Sequence, residues 1–306
     1  MSKLAFLYPG QGVQKVGMGA DFYANSKTAA ALFDRASEVM QLDLKALCFE
    51  ENQKLDLTEY TQAALVCTSL AMTRVLKEQG IRPNITAGLS LGEYAAIAAA
   101  GALDEVEAIR LVRKRGLLMQ NTVPAGEGAM CAVMGMETAV IEQVLEAIAD
   151  VSVANYNCPG QIVITGKKAA VEEGAKKLKE AGARRTVMLN VSGPFHSEML
   201  IPAGKELKKE LVQTKIRELH IPYVANVTAQ KVENAEEITE LLVRQISGSV
   251  RWQQSMETML ADSTDTFVEI GPGKTLAGFL KKINPEAKVI NVGTWEEMER
   301  AVQILL

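Results

Sequence analysis

Between residues 129 and 189 the chain passes through short apolar runs and helical patterns in an order that few folds accept. Segments 129–133, 151–155, 162–165 and 184–189 read as strands, and segments 137–148 and 169–181 read as helices, because the hydrophobic period changes between them. The order is β-α-β-β-α-β, that of a ferredoxin-like unit. Gly126 and Gly128 stand before it and Gly193-Pro194 after it, where the chain can turn between units. An inserted small domain over 125–192 is therefore expected, leaving 1–124 and 193–306 to form a larger α/β unit. With 306 residues, 48% of them hydrophobic, there is enough core-forming material for both.

The larger unit opens with a strand over 4–8 that ends in the turn Pro9-Gly10-Gln11-Gly12. Helical patterns follow over 27–40 and 61–79. A short apolar segment, 85–89, leads into Ser90, and an Ala-rich helix runs over about 91–100. Later strands are expected at 221–226 and 266–270.

Gly88-Leu89-Ser90-Leu91-Gly92 is thus a GxSxG pentapeptide set between a strand and a helix, the context that gives the motif meaning. A serine on a sharp strand-to-helix turn presents its hydroxyl to solvent. The glycines remove side chains that would clash in the turn, and the helix N-terminus offers N–H groups to a developing oxyanion. Such a hydroxyl needs a base, and only His196 and His220 exist. His196 lies in Ser192-Gly193-Pro194-Phe195-His196-Ser197, a loop that can reach back to the turn after the small domain ends, whereas His220 sits at a strand edge. His196 is the better-placed candidate.

The helix over about 104–120 carries a second chemical signal. At about 100° per residue, Arg115 falls amid Leu111, Val112, Leu118 and Met119, while Arg113 points nearly the opposite way. A buried guanidinium keeps its charge and so needs an anion. Either a protein carboxylate supplies it, or Arg115 grips a carboxylate that arrives with a substrate.

A formal charge of −4 gives no overall attraction to nucleic acid or an anionic membrane surface. Local basic runs such as Arg113-Lys114-Arg115 and Arg184-Arg185 read mostly as solvated faces, although one could dock an acidic partner. The most apolar run, 94–103, is about half the roughly 20 residues that cross a bilayer, and the first residues lack an export-signal pattern. Cys48, Cys67, Cys131 and Cys158 show no metal-ligand spacing, and with two histidines they predict neither a metal site nor a disulfide framework. The chain reads as a cytoplasmic protein with reduced, mostly buried thiols.

Five motifs in order then resemble one family along the whole chain: Pro9-Gly10-Gln11-Gly12, Gly88-Leu89-Ser90-Leu91-Gly92-Glu93-Tyr94, Arg113-Lys114-Arg115-Gly116, Asn157-Cys158-Pro159-Gly160-Gln161 and Gly193-Pro194-Phe195-His196-Ser197. The family is the malonyl-CoA:acyl-carrier-protein transacylases of dissociated fatty-acid synthases, with the related acyltransferase domains of polyketide synthases. The resemblance implies a hydrolase-like α/β domain with a mostly parallel sheet beside the ferredoxin-like unit. It implies that Ser90 is acylated, that His196 is its base, and that the backbone amides of Gln11 and Leu91 form the oxyanion hole. It further implies that Arg115 holds the malonyl carboxylate, that Phe195 favours malonyl over branched acyl groups, and that the backbone carbonyl of Arg251 orients the imidazole. Where the family's elbow usually begins Gly-His-Ser, this chain has Gly88-Leu89-Ser90, a change expected to alter packing rather than chemistry. The implied partners are malonyl-CoA and an acidic, transiently bound acyl carrier protein, with no metal or redox cofactor, and the chain is read as a monomer.

A serine thioesterase or esterase would use the same elbow but release the acyl group to water. Those hydrolases place an acidic residue and then a late histidine after the serine, and lack the inserted unit. A non-catalytic scaffold would keep the fold and make Ser90 and His196 dispensable, and no residue pattern favours it.

Overall fold

The structure is a computed structural model that describes residues 3–191 and 193–306. Two separate sheets organise it. The first contains β1 (Leu4–Tyr8), β2 (Ile85–Gly88), β7 (Tyr223–Val224), β8 (Lys231–Val232), β9 (Thr266–Ile270) and β10 (Lys288–Val292), in the spatial order β10-β9-β1-β2-β7-β8. Every pairing in it is parallel except that of β7 with β8. Ala5, Phe6, Leu7 and Tyr8 of β1 and all of β9, its Thr266 and Glu269 included, are buried, the unbroken burial of strands covered on both faces. The helix Thr58–Glu78 is buried around most of its circumference and forms the heart of the layer on one side. Helix Glu105–Thr122 packs along it, its first turn capped by the Asp104 carboxylate, which accepts from Val106 and Glu107 N–H groups.

The second sheet contains β3 (Gly128–Met134), β4 (Val151–Cys158), β5 (Gln161–Lys167) and β6 (Arg185–Met188) in the order β4-β5-β3-β6, all antiparallel. Alternation along β3 decides its two faces. Cys131 and Val133 join Ile141, Leu145, Val171 and Leu178 beneath the helices Thr138–Glu146 and Lys168–Glu180. Met130 and Ala132 face the other way and join the core of the larger unit. Strand β4 is tied to the segment just before helix Trp252–Ala261 where Tyr156 N–H donates to the Val250 carbonyl at 2.9 Å and Val250 N–H to the Ala154 carbonyl at 2.8 Å.

The six-segment order thus forms a sheet of its own. Its expected C-terminal boundary at Ser192 lies outside the described residues. The strand expected over 221–226 shortens to Tyr223–Val224, because Asn226 leaves the ladder to bond the serine turn. Strands β8 and β10 were not anticipated, being an edge hairpin and an edge strand with few fully buried residues. Among the described residues no helix is long and apolar enough to cross a membrane. All four cysteines are buried and unbridged.

Candidate active site

Strands β1 and β2 lie side by side with Tyr8 opposite Gly88, so the turns that follow them emerge together at the carboxyl edge of the sheet. A Cβ on Gly88 would fall 2.0 Å from the Gly92 carbonyl carbon, and one on Gly92 would fall 2.4 Å from the Tyr8 carbonyl oxygen. The elbow therefore closes only with glycine at both places. Between them Ser90 sits in the left-handed region with φ 55°, a conformation that costs a non-glycine residue on the order of 1–3 kcal/mol. Its neighbours hold it there. Ser90 N–H donates to Asn226 Oδ1 at 2.7 Å, and its carbonyl accepts from Gln245 Nε2 at 2.7 Å. Leu89, which stands where the resembled elbow usually carries histidine, packs over Gly10, where a Cβ would lie 2.6 Å from Leu89 Cδ2.

The loop after β6 brings His196, also left-handed at φ 59°, to the serine, with Nε2 2.8 Å from Ser90 Oγ. Nδ1 lies 2.9 Å from the Gln245 carbonyl and 3.1 Å from the Gly248 carbonyl. Two pure acceptors at Nδ1 assign the ring proton there and leave Nε2 free to accept from the serine. This corrects the expectation for Arg251. Its carbonyl accepts from Ser255 N–H and Oγ–H in the first turn of helix Trp252–Ala261, and its exposed guanidinium lies over the Tyr156 ring. Burial, followed by the nearby positive charge of Arg115, pulls the His196 pKa down to about 4. The imidazole is consequently neutral, as a base must be. His220 is exposed and its N–H donates to the Ala100 carbonyl, away from the serine.

Arg115 is fully buried, as its place on the helix face required. It donates from Nη1 to Gln62 Oε1 at 2.8 Å, and from Nη2 to Gln245 Oε1 at 2.9 Å and Ser90 Oγ at 3.1 Å. Its Nε has no partner among the described residues, and no carboxylate there lies within ion-pair distance. The Tyr94 ring lies 5.9 Å from its central carbon. A desolvated cation is thus held by neutral amides and aimed at the nucleophile. Gln11 and Phe195 line the same cleft as Ser90 and His196, a cavity of about 760 Å³ whose opposite wall includes Met130, Ala132 and Met134 of β3. Leu91 follows the serine directly, at the N-cap of helix Gly92–Ala99.

A profile described as the acyl transferase domain matches residues 5–300. A Bacillus subtilis protein described as a malonyl CoA-acyl carrier protein transacylase is 45% identical over 310 residues, spanning 100% of this chain and 98% of the relative. The chain belongs to the malonyl CoA-acyl carrier protein transacylase family. Solved structures agree: the transacylase of Clostridium perfringens superposes with a TM-score of 0.96 at 40% identity, covering 99% of this chain and 97% of that one. A malonyl-transacylase solved with a type II polyketide acyl-carrier protein superposes at 0.96 with 38% identity, covering 99% and 100%.

For this transacylase family member, the sequence reading missed Gln62, Gln245 and Asn226. A signal for two of them existed. Gln245 shares the buried face of helix Ile238–Gln245 with Leu241 and Leu242, and Gln62 is buried within the apolar helix Thr58–Glu78, so both are polar residues on apolar faces, as Arg115 is.

Proposed function

We propose that this chain transfers the malonyl group of malonyl-CoA to the phosphopantetheine thiol of acyl carrier protein through a malonyl ester on Ser90, supplying fatty-acid or polyketide synthesis. The observation that carries the reading is the buried Arg115 guanidinium, 3.1 Å from Ser90 Oγ and with no carboxylate within ion-pair distance among the described residues. In the acyl-enzyme the free malonyl carboxylate stands two carbons beyond Oγ, where the N–H now spent on the hydroxyl can turn to it.

His196 Nε2 takes the Ser90 proton as Oγ attacks the thioester carbonyl. The N–H groups of Gln11 and Leu91 face the developing oxyanion, and the proton passes from His196 to the departing CoA sulfur. The carrier thiol then enters the same cleft, gives its proton to His196 and attacks the ester, and the proton returns to Ser90 Oγ. Carbonyl acceptors behind His196 hold the neutral tautomer without an acidic third member. Hydrolysis is not favoured, since the acidic residue expected behind a hydrolase histidine is replaced there by two backbone carbonyls. Phe195, buried beside His196, narrows the acyl end of the cleft against branched groups.

Intact-protein mass spectrometry tests the reading. Malonyl-CoA should add one malonyl group to the wild type and none to Ser90→Ala, and the adduct should persist in water and discharge onto the carrier thiol. Label on a cysteine, or discharge to water as fast as to the carrier, would refute it.

A further inference from the structure

One carboxylate in the site takes no part in the transfer steps. Glu93, in the first turn of helix Gly92–Ala99, is wholly buried. Its Oε2 accepts from Gln245 Nε2 at 2.9 Å and from the Asn226 N–H at 3.3 Å, and its Oε1 has no partner among the described residues. Burying a carboxylate is costly, and burial pushes its pKa up to about 8 in spite of those two bonds. A position so unfavourable for an acid invites a functional reason.

Both partners of Glu93 also hold the nucleophile. Asn226 accepts from the Ser90 N–H and donates through Nδ2 to the Gly88 carbonyl at 2.7 Å, while Gln245 donates to the Ser90 carbonyl. The two backbone polar groups of the left-handed serine are therefore bracketed by two residues that meet at one oxygen of Glu93, Gln245 through its side-chain amide and Asn226 through its backbone N–H. The Gln245 amide has a single workable orientation. Its nitrogen faces two acceptors, the Ser90 carbonyl and the Glu93 Oε2 that also accepts from the Asn226 N–H, and its oxygen faces Arg115, a pure donor. Turning it over would set acceptor against acceptor and donor against donor.

We infer that Glu93 is a positioning residue for acyl transfer, which, by fixing Gln245 and Asn226 through one carboxylate oxygen, holds the Ser90 hydroxyl and the Arg115 guanidinium in one arrangement. The inference rests on the roles proposed above for Ser90 and Arg115. What matters in it is an acceptor atom at the right reach rather than a negative charge, and that separates it from a simple counter-ion to Arg115.

Glu93→Gln keeps the reach and an acceptor oxygen but removes the ionisable group. Glu93→Asp keeps an ionisable carboxyl and withdraws the acceptor by one methylene. Acylation of Ser90 at saturating malonyl-CoA and acetyl-CoA is measured for both beside the wild type, with melting curves. The glutamine variant should stay within about tenfold of wild type, the scale of one net hydrogen bond. The aspartate variant should slow on the order of 10²-fold, the scale of a misplaced reacting group. Its loss should be greater with malonyl-CoA than with acetyl-CoA, because Arg115 loses its anchor together with the serine. An aspartate variant as fast as the glutamine variant, or one that loses both donors equally, would overturn the inference. So would an aspartate variant that does not fold, since the carboxylate would then be serving the fold. A wild type that is not acylated on Ser90 would instead defeat the underlying functional reading before any variant is compared.

Discussion

At the scale of single residues, His196 and Arg115 are electrostatically opposed. A fixed positive charge nearby disfavours the imidazolium, and with burial it draws the His196 pKa to about 4. A low pKa keeps the base unprotonated but also makes it a weak base. A bound malonyl carboxylate beside Arg115 cancels part of that charge, so His196 should titrate higher in the complex than in the free enzyme. The sign follows from which form works: only neutral His196 accepts the serine proton, so activity falls as pH drops through its pKa. For malonyl-CoA, kcat/KM, which reports the free enzyme, should lose activity only near pH 4, and the acid limb of kcat should lie at higher pH. With acetyl-CoA, which brings no carboxylate, the two limbs should coincide more closely. Arg115→Ala should remove the separation and lower kcat/KM for malonyl-CoA by roughly 2–5 kcal/mol, or about 30-fold to several thousand-fold. Superimposed limbs for malonyl-CoA in the wild type would show that the two groups are not coupled in this way.

At the scale of elements, Arg115 reaches the serine because two helices approach closely beside it. A Cβ on Gly116 would come within 2.8 Å of the Thr58 carbonyl oxygen and 2.9 Å of Glu59 Cα, both backbone atoms that cannot step aside. Gly116→Ala should force helix Glu105–Thr122 away from helix Thr58–Glu78, lowering stability by about 1–3 kcal/mol as overpacking does, and should reduce malonyl use more than acetyl use by moving Arg115. Gly278, in helix Thr275–Ile283, is the control: nothing lies within 4 Å of an added Cβ, so Gly278→Ala should stabilise by about 0.4–1 kcal/mol with activity unchanged. Denaturant melts of both variants decide, and a Gly116→Ala protein as stable as wild type would refute the argument. The same helices explain what was legible in the sequence. Arg115 could be placed by angle because a helix fixes which residues share a face, and the four strands of the second sheet could be counted because their hydrophobic period differs from that of the helices between them. The histidine's carbonyl partners were misassigned to Arg251 because a backbone acceptor leaves no side-chain signature. Gln245 was legible by the face argument that found Arg115. Asn226 was not, since its role depends on a strand that ends early so that it can turn toward the serine.

At the scale of the whole molecule, the cleft belongs to neither sheet alone. Ser90 and Gln11 stand on turns at the carboxyl edge of the parallel sheet, while Met130, Ala132 and Met134 line the opposite wall from β3 of the antiparallel one. His196 arrives on the segment that returns from the second sheet to the first. The division of labour is chemical: the parallel sheet supplies the elbow, helix Glu105–Thr122 packed beside it supplies Arg115, and the antiparallel sheet supplies apolar wall against which a long pantetheine arm can lie. An intrusion on that wall should therefore harm donors in proportion to the arm they carry. Met134 is half-buried on the cleft side of β3, so a larger residue there projects into the cavity rather than into the core beneath the helices. Met134→Trp should raise KM for malonyl-CoA and for the carrier protein by about tenfold or more, the effect of removing roughly 1.4 kcal/mol of binding, with kcat nearly unchanged because the acyl end of the site is untouched. Malonyl carried on a truncated thiol such as N-acetylcysteamine should lose much less. Specificity constants for the long and short donors on wild type and variant provide the measurement. If both donors suffered equally, the wall would be shaping the elbow itself, and if neither did, the arm would have to reach Ser90 by a path that avoids β3.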